Sequence, residues 1–76
     1  MRPIVAYVLA VVQTGKEYDV VEELKKLNGI VDVTITYGQW DLVIKVEVGS
    51  LEELDKLVTE IRQTKGIERT TTLLGI

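Results

Sequence analysis

The sequence predicts an α+β domain of the ferredoxin-like type, in which a four-stranded antiparallel sheet carries both helices on one face. The 76 residues divide into two similar halves, each of which contains a strand, an amphipathic helix, a Gly-Ile pair and a second strand. A short link joins the halves as a hairpin. Two right-handed strand–helix–strand crossovers joined in this way give the order βαββαβ, with the first and third strands at the centre of the sheet.

The first half begins with a strand followed by a helix. The segment Ile4 to Gln13 is apolar and rich in β-branched residues, which predicts a strand. Thr14 and Glu17 have the spacing of a capping box, so we expect a helix from about Lys16 to Leu27.

Two features indicate where this helix ends. Lys25 and Lys26 fall in its predicted last turn, where positive charge suits the helix dipole. Asn28 and Gly29 follow, and both tolerate the left-handed conformation that ends many helices. Apolar and polar residues then alternate from Ile30 to Tyr37, which predicts the second strand. Its predicted buried side chains are Val31, Val33, Ile35 and Tyr37.

The second half repeats this pattern after a short connector. Gly38 to Trp40 leads into a third alternating strand, Asp41 to Val48. A second capping box, Ser50 to Glu53, starts a helix that we expect to run to about Thr64. Ile67 to about Leu74, dense in threonine, predicts the fourth strand.

The charge balance restricts the classes of partner. The chain has 12 acidic and 9 basic residues and a net charge of −3. Nucleic-acid-binding domains are usually basic because they contact phosphates, so we expect no direct contact with DNA. No apolar run is long enough to cross a membrane, and we therefore expect a cytoplasmic protein without membrane contact.

The first strand predicts self-association because it is apolar on both faces, whereas the helices can cover only one. The chain has no cysteine, and it also lacks the histidines of a typical zinc site, so neither disulfides nor structural zinc are expected to stabilise this small domain. We predict a homodimer that packs sheet against sheet; the alternative is a monomer with an apolar open face. The open-face residues of the first strand are Val5, Tyr7, Leu9 and Val11.

The sequence contains little that suggests catalysis. Histidine and cysteine, the commonest acid–base residue and a common nucleophile, are absent, and Ser50 is the only serine. An acylphosphatase of the same fold would need an arginine in the loop after the first strand, but Gln13 to Lys16 contains none. We therefore expect neither enzymatic activity nor a cofactor or metal ion.

Two segments resemble the Lrp/AsnC (feast/famine) family of transcription regulators. Tyr37 to Val46 resembles that family's Gly-x-x-Asp turn with its following aliphatic strand. Lys65 to Leu74 is similar to its Pro-Gly-Val-x-x-Thr-x-Thr last strand, with lysine in place of proline, and Ala6 to Leu9 is similar to its first strand. The resemblance implies a single domain over residues 1–76, a stand-alone RAM (effector-binding) module without a helix-turn-helix, of a kind found chiefly in archaea and some bacteria.

The resemblance also implies assembly and a ligand. RAM modules form sheet-to-sheet dimers that assemble into rings, commonly octamers, and they bind small effectors, usually amino acids, in the cleft between dimers. Gln39 and Trp40 occupy variable positions of the hairpin signature, and the other predicted residues match fixed positions. Carried over by position, the predicted ligand-binding residues are Gly38, Gln39, Trp40, Asp41, Thr70 and Thr72.

Each of these residue types suits an amino-acid ligand and also has a simpler explanation. Asp41 can accept hydrogen bonds from an ammonium group, Thr70 to Thr72 can donate to a carboxylate, and Gly38 lets a ligand approach the backbone. Alternatively, Gly38 is a turn residue, Asp41 caps the hairpin locally, and the threonines are strand formers. Trp40 suits an oligomer contact better than stacking on a ligand.

Two functional hypotheses follow. The first is an amino-acid sensor that modulates a full-length Lrp/AsnC regulator by mixed assembly, without DNA contacts of its own. The second is an interaction module that forms homo- or hetero-oligomers and binds no ligand.

Overall fold

The computed structural model describes residues 2–76 and has the predicted βαββαβ order. The sheet is antiparallel with the strand order β2-β3-β1-β4, so the first and third strands are central, and the predicted fold class is confirmed. Most boundaries agree with the prediction to within two residues, and the first helix is the main exception. The elements are β1 Ile4–Val12, α1 Glu17–Leu24, β2 Ile30–Ile35, β3 Leu42–Val48, α2 Leu51–Arg62 and β4 Ile67–Leu74.

The hydrophobic core lies between one face of the central strands and the two helices. Alternate side chains of β1 and β3 point into it, as the period of two in a strand requires. Among the described residues, every buried side chain is apolar. The core consists of Ala6, Val8, Ala10, Val12, Val20, Leu24, Leu42, Ile44, Val46, Val48, Leu54, Leu57 and Ile61.

The second capping box forms and the first does not. Ser50 Oγ accepts a hydrogen bond from the Glu53 N–H at 3.1 Å, and Glu53 Oε2 accepts one from the Gly49 N–H at 2.9 Å. At α1 the N-cap position is Lys16, which makes no side-chain cap, so the prediction that Thr14 caps this helix is wrong. Gly15 has a φ of +86°, and the turn that it makes moves the helix start beyond the reach of Thr14.

Helix α1 also ends earlier than predicted. It stops at Leu24, and the N–H of Leu27 bonds to the carbonyl of Leu24 in a tighter, three-residue turn. Lys25 and Lys26 therefore lie beyond the helix rather than in its last turn.

A β-bulge changes the predicted alternation of β2. Ile30 is paired with Val46 but Asp32 is paired with Lys45, so Val31 is the extra residue and is 50% exposed. Ile30 and Val33 pack against the core instead.

The other two side chains predicted to be buried in this strand are also exposed. Ile35 is 42% exposed because it lies at the end of an edge strand. Tyr37 lies outside the strand and is fully exposed.

Two glycines allow close packing between the two halves of the molecule, each against the helix of the other half. A Cβ on Gly29, which follows α1, would lie 2.8 Å from Leu57 Cδ2 of α2. A Cβ on Gly66, which follows α2, would lie 2.7 Å from Val20 Cγ2 of α1. Both glycines have positive φ. In each half, the glycine of the Gly-Ile pair therefore makes the turn after the helix and also allows the close packing.

The opposite face of the sheet has no helix over it. On β1 its side chains are Val5, Tyr7, Leu9 and Val11, which are half-buried apart from Tyr7, at 38% exposed. The neighbouring positions on β3 and β4 are Val43, Lys45, Glu47, Arg69, Thr71 and Leu73. The sequence-based conclusion that both faces of β1 are apolar is confirmed, and the homodimer stays a prediction. Within residues 2–76, neither helix has the length or the apolar character needed to cross a bilayer.

Candidate ligand-binding site

Asp41 lies where β3 separates from β1. Its N–H donates to the carbonyl of Ala10 at 2.8 Å, and its Oδ2 accepts a hydrogen bond from the N–H of Val12 at 2.8 Å. The carboxylate therefore accepts the hydrogen bond of the Val12 N–H just beyond the end of the main-chain pairing between β1 and β3. This contact spans 29 residues of sequence, so Asp41 caps a backbone group, although across the sheet rather than locally as the alternative explanation expected. Within residues 2–76, Oδ1 makes no hydrogen bond.

Thr36 closes the β2–β3 hairpin on the other side of Asp41. Its hydroxyl donates to the carbonyl of Trp40 at 2.7 Å, and its N–H donates to the carbonyl of Asp41 at 2.8 Å. Between these contacts, Gly38 has a φ of +110° and an added Cβ would meet no atom within 4 Å. Gly38 is thus a turn residue with open space beside it, and Gln39 is exposed at the tip.

Trp40 connects the hairpin with the far edge of the sheet. The guanidinium carbon of Arg69 lies 5.2 Å from the centroid of the Trp40 ring, within the range of a cation–π interaction. Arg69 is paired with Val11, so this contact crosses the end of β1. Sequence reasoning missed Arg69, because the two residues are 29 positions apart and the register of β4 on β1 is needed to bring them together.

Thr70 and Thr72 lie on the edge strand β4, with their side chains on the helix-facing side. They are paired with the buried residues Ala10 and Val8, whereas Thr71 is on the open face. Thr70 is half-buried and Thr72 is exposed. The N–H of Gly75 donates a hydrogen bond to the carbonyl of Val5. Because hydrogen-bonded and non-hydrogen-bonded pairs alternate along antiparallel strands, the main-chain N–H and C=O groups of Thr70 and Thr72 point away from β1, to the outer edge of the sheet.

One chain does not bring all six predicted residues into one cavity. The hairpin and β4 lie on opposite sides of β1, so Asp41 and Thr70 are separated by two strand spacings, about 10 Å. Two clefts of about 640 and 710 Å³ are lined mainly by residues of the two helices and of the turns beside them, and the six predicted residues line neither cleft. The predicted site is therefore an open surface in the isolated chain.

Comparisons with known proteins give a consistent family. Residues 5–75 match the model of the Lrp/AsnC ligand-binding domain. The HTH-type transcriptional regulator FL11 of Pyrococcus furiosus is 34% identical over 71 residues, which are 93% of this chain and 47% of FL11. The chain thus spans less than half of the length of that regulator.

Solved structures and a segment of a homocitrate synthase are also similar to this chain. The crystal structure of FFRP-DM1 matches with a TM-score of 0.91 and 36% identity, over 96% of this chain and 99% of that one. TTHA0845 from Thermus thermophilus matches with a TM-score of 0.90 and 35% identity, over 96% of this chain and 92% of that one. A homocitrate synthase of Saccharolobus islandicus is 34% identical over 55 residues, 72% of this chain but only 12% of the synthase.

Proposed function

This chain belongs to the family of Lrp/AsnC ligand-binding domains, and on that basis we propose that it binds an amino acid between its subunits and thereby controls a regulator of that family. The family is a ligand-binding domain of transcription regulators and is not an enzyme family. The observation that carries the proposal is the position of Asp41, which is fixed by one carboxylate oxygen and has the other unbonded within residues 2–76.

An amino acid has groups that match the polar atoms of this region. Its ammonium group needs an acceptor, which Asp41 Oδ1 supplies, and its carboxylate needs donors. The outward main-chain N–H groups and the hydroxyls of Thr70 and Thr72 supply such donors. The open turn at Gly38 leaves room for a ligand side chain beside it.

The open geometry supports a site that is completed by a second subunit. Asp41 and Thr70 are too far apart for one small ligand to touch both within one chain. The apolar open face of the sheet supports a sheet-to-sheet dimer, because such a surface is rarely left in water. Assembly of these dimers into a ring, such as an octamer, would place the hairpin of one subunit against β4 of another.

The similarity to a segment of a homocitrate synthase supports a role in sensing that is separable from DNA binding. The matched segment is 12% of the homocitrate synthase, a protein whose name describes a biosynthetic reaction. The net charge of −3 also disfavours contact with phosphates. We propose that this chain acts on a full-length Lrp/AsnC regulator by mixed assembly and does not bind DNA itself.

Light scattering with each of the twenty L-amino acids tests the proposal. We expect a dimer or larger ring whose mass or thermal stability changes with one or a few amino acids. An assembly that is indifferent to all twenty contradicts the sensing function.

The unliganded interaction module is the second candidate, and the apolar face of β1 favours it equally. It predicts co-purification with a helix-turn-helix regulator when no amino acid is added. Co-purification that requires an amino acid would exclude it.

A further inference from the structure

Arg69 is a cation that is held in place without an acidic partner. Its guanidinium lies on Trp40, and the salt bridge found within residues 2–76 joins Lys26 to Glu23 instead. A guanidinium that stacks on an aromatic ring keeps its N–H donors, which lie in the guanidinium plane, free at the edges. Within the described residues, the guanidinium of Arg69 makes no hydrogen bond. In the isolated chain its donors are therefore available to an anion.

The strand register places Arg69 and Asp41 on either side of the same point of β1. Arg69 is paired with Val11, and Asp41 bonds the main chain of Ala10 and Val12. The two opposite charges thus flank Val11 without forming an ion pair. An amino-acid zwitterion carries the two charges that complement them.

Arg69 also supplies what the six predicted residues lack. That set contains a carboxylate, an indole, an amide and hydroxyls, but no cation. The other cation on the strands of this face is Lys45, which lies opposite the acidic residue Asp32 in the register of β2 on β3, although the two form no salt bridge within residues 2–76. Arg69 is paired instead with Val11, which carries no charge.

We propose that Arg69 binds the carboxylate of the effector in a bidentate pair, with Trp40 holding the guanidinium in position. This inference rests on the proposed function, because it assigns a residue to the same amino-acid site. Arg69 then contributes the charge, and the outer-edge main-chain groups of β4 contribute neutral donors.

The test compares an amino acid with its α-amide, which keeps the ammonium group and the side chain but has no carboxylate. The amino acid is the one of the twenty that binds the wild-type chain most tightly by calorimetry. We expect the wild type to bind the amide at least about tenfold more weakly, as loss of a charged hydrogen bond implies. Arg69→Gln should bind the amino acid at least about tenfold more weakly and the amide as the wild type does.

Arg62→Gln is the matched control, because Arg62 is an exposed arginine in the last turn of α2, away from the sheet. It should bind both compounds as the wild type does. Arg69→Gln that binds the amino acid normally, or that weakens both compounds equally, overturns the role of Arg69 and leaves the proposed function intact. A wild-type chain that binds none of the twenty overturns both.

Discussion

Asp41 Oδ2 and the main-chain N–H of Val12 are joined by a hydrogen bond of 2.8 Å across the end of the central strands. The side chain predicted to hold a ligand therefore also completes the sheet. The structural role fixes the position of the carboxylate, and a fixed carboxylate is better suited to recognise an ammonium group than a mobile one. Asp41→Ala removes the side chain and affects both roles. Asp41→Asn keeps an acceptor oxygen for Val12 but loses the negative charge, so it separates the two roles.

Asp41→Ala should destabilise the fold, because the half-buried N–H of Val12 loses its acceptor. We expect a loss of about 1–3 kcal/mol in the free energy of unfolding, measured by chemical denaturation. Asp41→Asn keeps an acceptor oxygen and should lose less. Asp32→Ala, on the exposed edge strand, is the control. Equal stabilities of the Asp41→Ala and Asp32→Ala variants would show that the Val12 contact contributes nothing.

Gly66→Ala should be more destabilising than Gly38→Ala. Both glycines have positive φ, and the backbone alone should cost each variant about 1–2 kcal/mol. Only the Cβ at residue 66 would lie 2.7 Å from Val20 Cγ2, and this overlap should add about 1–3 kcal/mol. The midpoints of urea unfolding measure the difference. Coincident midpoints would mean that the approach of Gly66 to α1 is not tight.

Ser50→Ala should lower the stability by about 1 kcal/mol, because Ser50 caps α2. Thr14→Ala should change it by less than about 0.5 kcal/mol, since Thr14 is exposed and makes no cap. Thermal unfolding of the two variants distinguishes the local sequence motif from the observed structure. An equal loss of stability in the two variants would mean that Thr14 does cap α1.

Leu9→Lys should prevent the sheet-to-sheet dimer. Leu9 is on the open face of the central strand, where a lysine would be buried without a partner in a face-to-face assembly. We expect a monomer in sedimentation velocity at micromolar concentration. Leu51→Lys, on the exposed start of α2, should leave the mass of the wild type unchanged. A Leu9→Lys variant that keeps that mass would place the interface elsewhere.

Features of the fold that depend on local or periodic signals could be predicted from the sequence, whereas features that depend on the register between strands could not. The alternation in β1 and β3 and the cap at Ser50 are readable because each involves neighbours a few residues apart. The bulge at Val31 was not predicted, because only the pairing with β3 reveals it.

The same reasoning applies to the candidate site. The turn at Gly38 was readable from the sequence, whereas the Asp41–Val12 and Trp40–Arg69 contacts each join residues 29 positions apart. The position of Thr70 and Thr72 on the helix-facing side likewise follows only from their pairing with β1.

Calorimetry of the twenty L-amino acids with the wild type and with Asp41→Asn tests the central claim most directly. The account predicts that one or a few amino acids bind the wild type and bind Asp41→Asn at least about tenfold more weakly, because the ammonium group loses its anionic acceptor. Asp32→Asn, which removes the same charge from the edge strand, should bind as the wild type does. Absence of binding to the wild type, or equal binding to the wild type and to Asp41→Asn, would contradict the claim that Asp41 recognises an amino-acid effector.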